Sequence, residues 1–457
     1  MIHTLLTEAI FRGWLARGLA LVALVALAAL VLTLAPAQAD TTCTVTSLDD
    51  SGDGTLRDRI GNTACDVIVF DPDILPGTIT LDSQLTISRS LAIDGPGVGQ
   101  LTISGNNAVR VFEIEAGSMV TISGVTIAQG QARGRFPDNS GGGIRNVGSL
   151  TVTNSTISGN TAQEGGGGGI LNVGTLTVTN STISNNTASF AGGILNVGTV
   201  TVTNSTISDN TALTGGGIWN LGDGTVMVTN STISDNTASD TGGGISNSGT
   251  LTAKNSIVAN SSSGGNCLAA AGTFTALGVN LADDGLCPGF DEFSSAEINL
   301  GPLADNGGPT FTHALLLGSV AINAATDCTL VDGETPVTTD QRGVTRPQGP
   351  ACDAGAFELE KIPEEILDFF DDAVAKGELK GSGPGRSAEG RLKALRNMLE
   401  EAEALIQQGD IKEACGQLRQ AYLRTDGEPR PPDFVEGPAA GELAQMILDL
   451  MDDLGCS

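Results

Sequence analysis

One short stretch concentrates side chains able to do acid–base work on a sugar. Residues 129–138 read Gln-Gly-Gln-Ala-Arg-Gly-Arg-Phe-Pro-Asp. Arg133, Arg135 and Asp138 can together bind a uronic acid or abstract its proton. The stretch lengthens one repeat to about 30 residues, and insertions in repeat proteins tend to fall on the binding face. A solvated loop of the same composition is the plain alternative. Asp209 and Asp235 hold matching bend positions in neighbouring repeats and can share a Ca²⁺ ion between stacked carboxylates. An Asp beside Asn at a bend is, equally, a common turn former. Trp219, next to Ile218, can stack on a sugar ring or pack against the next repeat. Arg342 and Arg346, set among Asp340, Asp353 and Glu358, read either as an acid–base cluster or as ion-paired loops, and the structural reading is the better supported.

Composition removes several other chemistries. The net charge of −29 is incompatible with a nucleic-acid binder working through a basic, phosphate-neutralising face. The chain has only two histidines, His3 and His313, which rules out a multi-His zinc site and a His-rich acid–base mechanism. No cofactor motif occurs, so Ca²⁺ is the one ion the sequence invites.

The element that must position these residues is a repeat of about 25 residues. Asn154, Asn180, Asn204, Asn230 and Asn255 each open an Asn-Ser-Thr-Ile-Ser-like motif, at spacings of 24 to 26. A second Asn series runs 160, 186, 210, 236 and 260, and a third 146, 172, 196, 220 and 247. Repeats of this length indicate a solenoid. Within each repeat apolar and hydroxyl residues alternate, as in Leu176-Thr-Val-Thr-Asn180, which is a strand with one buried face. Ile157, Ile183, Ile207 and Ile233 supply a further inward row. Each coil reads as three short strands separated by bends, and the pattern predicts a right-handed parallel β-helix. Coils stacked at about 4.8 Å align the Asn154 series into a structural amide ladder along one bend. The leucine-rich alternative lacks its Leu consensus. Outward Thr pairs at 151/153, 177/179 and 201/203 form a regular hydroxyl face of a kind that can match a crystalline polysaccharide or ice, interrupted at Met227 and Lys254.

The Gly-Gly-Ile and Ile-Ser-x-Asn signatures resemble those of bacterial β-helix surface proteins, including polymorphic outer-membrane proteins and the pectin-lyase-like superfamily. Gly54-Thr-Leu-Arg57, Val67-Ile-Val-Phe70 and Gly77-Thr-Ile-Thr-Leu81 are similar to the N-terminal cap and first coils of such proteins. Residues 300–360, with Leu300-Gly-Pro-Leu-Ala-Asp-Asn-Gly-Gly-Pro309, Thr312-His313, Asp340-Gln-Arg342 and Cys352-Asp-Ala-Gly-Ala-Phe-Glu358, resemble a choice-of-anchor Q segment. On this reading they cap the last coil, where open strand edges would otherwise invite aggregation. Residues 361–457 turn to Glu, Lys, Leu and Ala in helical periodicity and resemble a FIMAH domain. Ser387 and Asp410 are read as caps of its second and third helices. The fold hosts lyases, hydrolases and adhesins alike, so the resemblance specifies architecture more than activity.

Residues 1–39 have the layout of a secretory signal: Arg12 and Arg17, an apolar run from Gly18 to Ala35, and Ala37-Gln-Ala39 before Asp40. An uncleaved anchor is the alternative, and no transmembrane segment is expected after cleavage. Eight cysteines fall into four neighbouring couples. Pairing Cys43 with Cys65, Cys267 with Cys287, Cys328 with Cys352 and Cys415 with Cys456 is the simplest of the 105 connectivities, and the others stay open. The chain therefore divides into a signal (1–39), an N-terminal cap with the first coils (40–98), repeats (99–299), a loop-rich cap (300–360) and a small all-α unit (361–457). The expected function is that of a secreted or cell-surface protein without catalysis, engaged in adhesion or carbohydrate contact. The alternative is a polysaccharide lyase or glycoside hydrolase acting on acidic polysaccharide.

Overall fold

The structure, a computed structural model, describes residues 40–457 apart from 136, 317, 360–361, 408–409, 428–432, 455 and 457. The signal-peptide expectation lies outside these residues. From Thr42 to Glu292 the chain winds into a parallel solenoid of about ten turns. Two ten-stranded sheets run its length. One, here the threonine sheet, contains Ser149–Thr153, Thr175–Thr179, Thr199–Thr203 and Thr225–Thr229. The other, the serine sheet, contains Thr156–Ser158, Thr182–Ser184, Thr206–Ser208 and Thr232–Ser234. An eight-stranded asparagine sheet, with Ile144–Asn146 and Ile170–Asn172 among its strands, completes the core.

Like pairs with like throughout: Val152 stands on Val178, Ile157 on Ile183 and Asn172 on Asn196. Alternation explains this register, because a one-residue slip would turn Leu150 and Val152 out to water. Instead both are buried, as are Ile144, Ile157 and their counterparts in the stacked coils. Each such Ile contributes roughly 1.5–3 kcal/mol of burial.

The central coils have four strands, not the three expected from periodicity. A five-stranded side sheet starts at Gln131–Ala132 and continues through Thr161–Gly166, Thr187–Phe190, Thr211–Thr214 and Thr237–Thr241. Its sequence signal is the Asn-Thr-Ala repeated at Asn160, Asn186, Asn210 and Asn236. Ala132, Ala162 and Ala188 pack together there, in a core too thin for branched side chains.

The motif Asn-Ser-Thr-Ile-Ser resolves into separate duties. Asn154, Asn180, Asn204, Asn230 and Asn255 all take left-handed φ between 45° and 50°, which Asn tolerates. They are not the amide ladder predicted for them. The Asn230 amide has no hydrogen-bond partner at either end, and Asn204 Nδ2 donates sideways to Thr339 O. Positive φ swings each side chain out of line with the next. The two ladders that do form use the other series. Asn146, Asn172, Asn196, Asn220 and Asn247 pass Nδ2–H to Oδ1 at 2.7–2.9 Å, and Asn160, Asn186, Asn210 and Asn236 do so at 3.0 Å. A third row is serine: the Ser155, Ser181, Ser205 and Ser231 backbone N–H groups each donate to the next Ser Oγ.

Residues 300–359 cover more than the last coil. They pack Leu315, Ala321, Ala354 and Phe357 on Ile257 and Leu281 and fold back along the flank over the serine sheet as far as Asn180. Thr182 Oγ1 donates to Phe311 O, Thr206 Oγ1 to the Gln341 side chain, and Lys254 Nζ to Asp327, while Thr232 Oγ1 accepts from Ala356 N. The outward Thr and Ser of that sheet are short, flat-lying hydroxyls, which is what a loop-rich layer needs in order to satisfy its own polar groups. The end of the solenoid is plugged by Cys287 and Phe290, the latter edge-on to Phe274 at 5.7 Å. At the other end the helix Leu56–Gly61, capped by Thr55, drops Leu56 and Ile60 onto the core.

Among the described residues four helices follow, Ile362–Lys376, Arg386–Gln407, Ile411–Tyr422 and Ala440–Asp453, around Phe370, Leu395, Leu399, Leu418, Leu443 and Ile447. Ser387 is not a cap: it lies inside its helix, and its hydroxyl donates to Pro384 O. Asp410 holds the N-cap position without a side-chain bond.

All eight cysteines are paired, and the pairing is the sequential one. Cys43–Cys65 ties the first strand, Thr42–Val45, to the turn just after the helix Leu56–Gly61. Cys267–Cys287 closes the far end of the solenoid, and both residues are buried in its core. Cys328–Cys352 staples two loops of the flank layer beside the bridge between Ala325 and Cys352. Cys415–Cys456 joins the third C-terminal helix to the residues after the fourth. Four such bonds suit an oxidising compartment. Among the described residues no helix is long and apolar enough to cross a membrane.

Candidate functional site

The insertion opens a cleft of about 360 Å³ where the side sheet begins. Gln131–Ala132 is the first strand of that sheet, so nothing of the same sheet stands before it, and the step is lined by Gln84, Val109, Arg110 and Glu113. Arg133 and Asp138 line this cleft, whereas Arg135 belongs to the exposed turn beyond it, its carbonyl accepting from Asp138 N. The cleft lining thus sets two arginines, Arg110 and Arg133, against two carboxylates, Glu113 and Asp138.

Its buried arginine is fully occupied. Arg110 is buried and donates to Gln84, Glu113 and the carbonyls of Asp138, Ser140 and Gly141. Burial, the first cause, and neighbouring Arg145 pull its pKa below the usual guanidinium value, and Glu113 works against that fall. Arg145 closes on the other oxygen of Glu113. Arg133 is exposed and donates to Asn107 O and the Gln131 side chain. At Arg110 a substrate carboxylate must displace one of these partners, whereas both Arg133 bonds leave from Nη2 and its Nε and Nη1 face solvent.

Asp209 and Asp235 follow Ser208 and Ser234, which pair in register, and take left-handed φ of 56° and 57°. His313 of the flank layer reaches Ser208, whose hydroxyl donates to Asp209, and lies near Asp235. His313 is buried; its Nδ1 lies 2.8 Å from Gly301 O and its Nε2 2.9 Å from Ser208 Oγ and 3.7 Å from Asp235. A carbonyl can only accept, so Nδ1 carries a proton. Burial raises the Asp235 carboxyl, His313 and Ser234 oppose this, and Asp209 and Asp283 add to it. The Ser–His–Asp grouping is not a nucleophile: Ser208 is completely buried, leaving no room for a reacting carbonyl. A calcium ion on this pair would draw most of its six to eight oxygens from water. Among the described residues no three His, Cys, Asp or Glu converge as a metal cage.

The Asp340–Glu358 cluster is a buried ionic lock. Arg342 pairs with Asp340 at 2.9 Å and lies over the Phe357 ring, and Arg346 pairs with Glu358 at 2.8 Å. Three buried acids meet two bases, and the Asp353 carboxyl is pushed up to about 7, by burial first and by Glu358 second. The native state therefore holds a proton that the unfolded chain releases near pH 4, so this contribution is full below about pH 4 and is lost as pH rises towards 7. Thermal unfolding of the wild type should occur at higher temperature at pH 5.5 than at pH 7.5. Asp353→Asn should flatten that difference; an equal pH response in both proteins would count against the assignment.

Trp219 packs on the Leu171–Leu195 row outside the coil and meets Phe190 at 5.2 Å between ring centroids. Sequence reasoning did not find Phe190, Arg110 or Glu113, which lie in different coils from the residues they join.

Two overlapping stretches, residues 92–233 and 144–281, match a family model described as a right handed beta helix region. Among solved structures the chain is similar to pectate lyase Pel9A, at 15% identity and a TM-score of 0.39 over 70% of this chain and 98% of that one. It is similar also to jun a 1, the major allergen from cedar pollen, at 14% identity and a TM-score of 0.35 over 55% of this chain and 75% of that one. No curated protein matches. With the parallel register and the matched repeats together, the solenoid is a right-handed parallel β-helix.

Proposed function

We propose that this is an exported, non-catalytic β-helix protein of the bacterial surface that presents its threonine sheet for carbohydrate contact and adhesion. The observation that carries the reading is the outer face of that sheet. From Met119 to Thr252 its outward positions are Thr or Ser in register, except for Met119 itself and Met227. Charge stands only at the face's two ends, where Asp94 accepts from Ser123 and Lys254 is buried against Asp327. An uncharged, rigid hydroxyl lattice on a chain of net charge −29 is a surface from which charge has been withheld. The likeness of residues 300–360 to choice-of-anchor Q segments, and of the helices to a FIMAH domain, supports placement at a surface.

The cleft with Arg133 and Asp138 supports a second reading, a lyase or hydrolase acting on acidic polysaccharide. The prior engagement of Arg110, Arg145 and Glu113 weighs against it. Protein starting at Asp40 should be incubated with acidic and neutral polysaccharides, with and without Ca²⁺. The expected result is binding with no unsaturated uronide absorbance and no new reducing ends. Thr177→Lys with Thr201→Lys should weaken binding about tenfold. Product formation that disappears in Arg133→Ala would establish the enzyme instead.

A further inference from the structure

The flank layer covers the serine sheet, but a strip over the asparagine and side sheets stays bare. Val173, Val197, Phe190 and Leu213 are each 41–50% exposed. Val173 and Val197 stand two residues beyond Leu171 and Leu195, the buried row on which Trp219 sits. Phe190 is held beside Trp219 by the side sheet, where it pairs with Gly166 below and Thr214 above. Glycine permits this approach: a Cβ on Gly166 would collide with Leu195, and one on Gly215 would press on Trp219 Cβ at 2.7 Å. The result is two tilted aromatic rings on a rigid base, with branched aliphatic side chains spaced by the coil repeat along the axis.

The chemistry around the strip selects its occupant. Thr175 and Thr199 lie on the threonine-sheet side, and Thr187 and Thr211 line the side-sheet flank, all four beside the strip in sequence. Between Thr161 and Thr241 the charged residues are Glu164, Asp209, Asp223, Asp235 and Asp240, with no Lys, Arg or His. A polyanion meets only repulsion there. A pyranose chain offers C–H faces for the rings and peripheral hydroxyls for threonine, and if uncharged it loses nothing to the acids. We propose that Phe190, Trp219, Leu213, Val173 and Val197 form a stacking strip for a neutral polysaccharide laid along the solenoid axis. The proposal rests on the carbohydrate-contact reading; it adds the ligand class and a second contact strip beside the threonine face.

The chain's other tryptophan, Trp14, precedes Asp40, so protein starting at Asp40 reports on this strip through a single fluorophore. Cellulose, chitin and mannan should be compared with polygalacturonate and alginate by co-sedimentation, and their soluble oligosaccharides by Trp emission. Expected are retention on at least one neutral glycan, an emission shift with its oligosaccharide, and at least a tenfold loss in Phe190→Ser. Phe190 is exposed enough for that change to leave folding intact, which circular dichroism would verify; Trp219→Ala is the second variant. Retention on acidic glycans alone overturns the proposal and leaves the carbohydrate reading standing, as does neutral binding unchanged by both variants. Failure to bind any glycan removes both. Wild-type self-association abolished by Phe190→Ser would make the strip a dimer contact and overturn the proposal.

Discussion

Arg346→Met should free residues 300–359 from the serine sheet, at a cost of about 3–5 kcal/mol, the range for removing one partner of a buried ion pair. Arg346 lies at the centre of that layer: Nη1 donates to Glu358 Oε2 and Asp353 O, and Nη2 to Gly355 O. Glu358 is completely buried and also accepts from the backbone N–H groups of Gln348 and Asp353. Methionine fills the volume and leaves the carboxylate without its counter-charge. Gly355 and Ala356, which bond the solenoid at Asn255 and Thr232, sit between these partners, so the damage reaches the contact itself. Limited proteolysis should cut the variant within 300–359 while the β-sheet signal in circular dichroism persists. Arg346→Met with Glu358→Leu should recover part of the loss, since no buried charge is then stranded. A single variant as protease-resistant as wild type would show that the ion pair is incidental to docking.

The contrast between periodicity and placement explains which features can be read in advance. A one-face strand pattern repeated every 24–26 residues leaves few folds open, so the solenoid and its inward Ile rows are legible. The disulfides are legible for a related reason: each couple, such as Cys43 with Cys65 or Cys328 with Cys352, lies within about one coil length of chain. Only Cys415 with Cys456 spans more, 41 residues, and there the helices bring the two ends together. The ladder assignment fails because three Asn series share one period, and only backbone φ separates a bend former from a stacking amide. Asn154 and Asn160 look equivalent in sequence, yet the first belongs to the row with φ near 50° and the second to a 3.0 Å chain of amides. The reach of the flank layer is missed by sequence reasoning because no period relates 300–359 to the coils; the layer's contacts, such as Gln341 with Thr182, span 159 residues. The cleft is half legible. Arg133 and Asp138 announce themselves as an insertion, but Arg110 and Glu113 join them only because one coil lies below another. Trp219 stands out alone in the sequence, and its partner Phe190 comes from the preceding coil.

The second large effect separates the two kinds of Asn. Asn196 is completely buried and makes five bonds: Nδ2 donates to Gly198 O, Asn220 Oδ1 and Thr225 O, and Oδ1 accepts from Asn172 Nδ2 and Gly198 N. Asn196→Ala keeps the backbone and strands Gly198 N, with Asn220 Oδ1 losing its donor as well. At about 1–3 kcal/mol for each buried group left unpaired, the loss should be about 2–6 kcal/mol. Asn196→Asp should be worse, because a carboxylate cannot donate to Asn220 Oδ1 and brings a charge into a row with no cation. Asn204 is the control. Its side chain donates once, to Thr339 O, and its φ of 45° is tolerated by glycine. Asn204→Gly should therefore cost no more than about 1 kcal/mol. Chemical denaturation of the three variants would give the order. Equal destabilisation by Asn196→Ala and Asn204→Gly would mean that the coils are held by their apolar rows alone. The predicted gap would instead make the amide rows the element that fixes register, and with it the flatness of the threonine face.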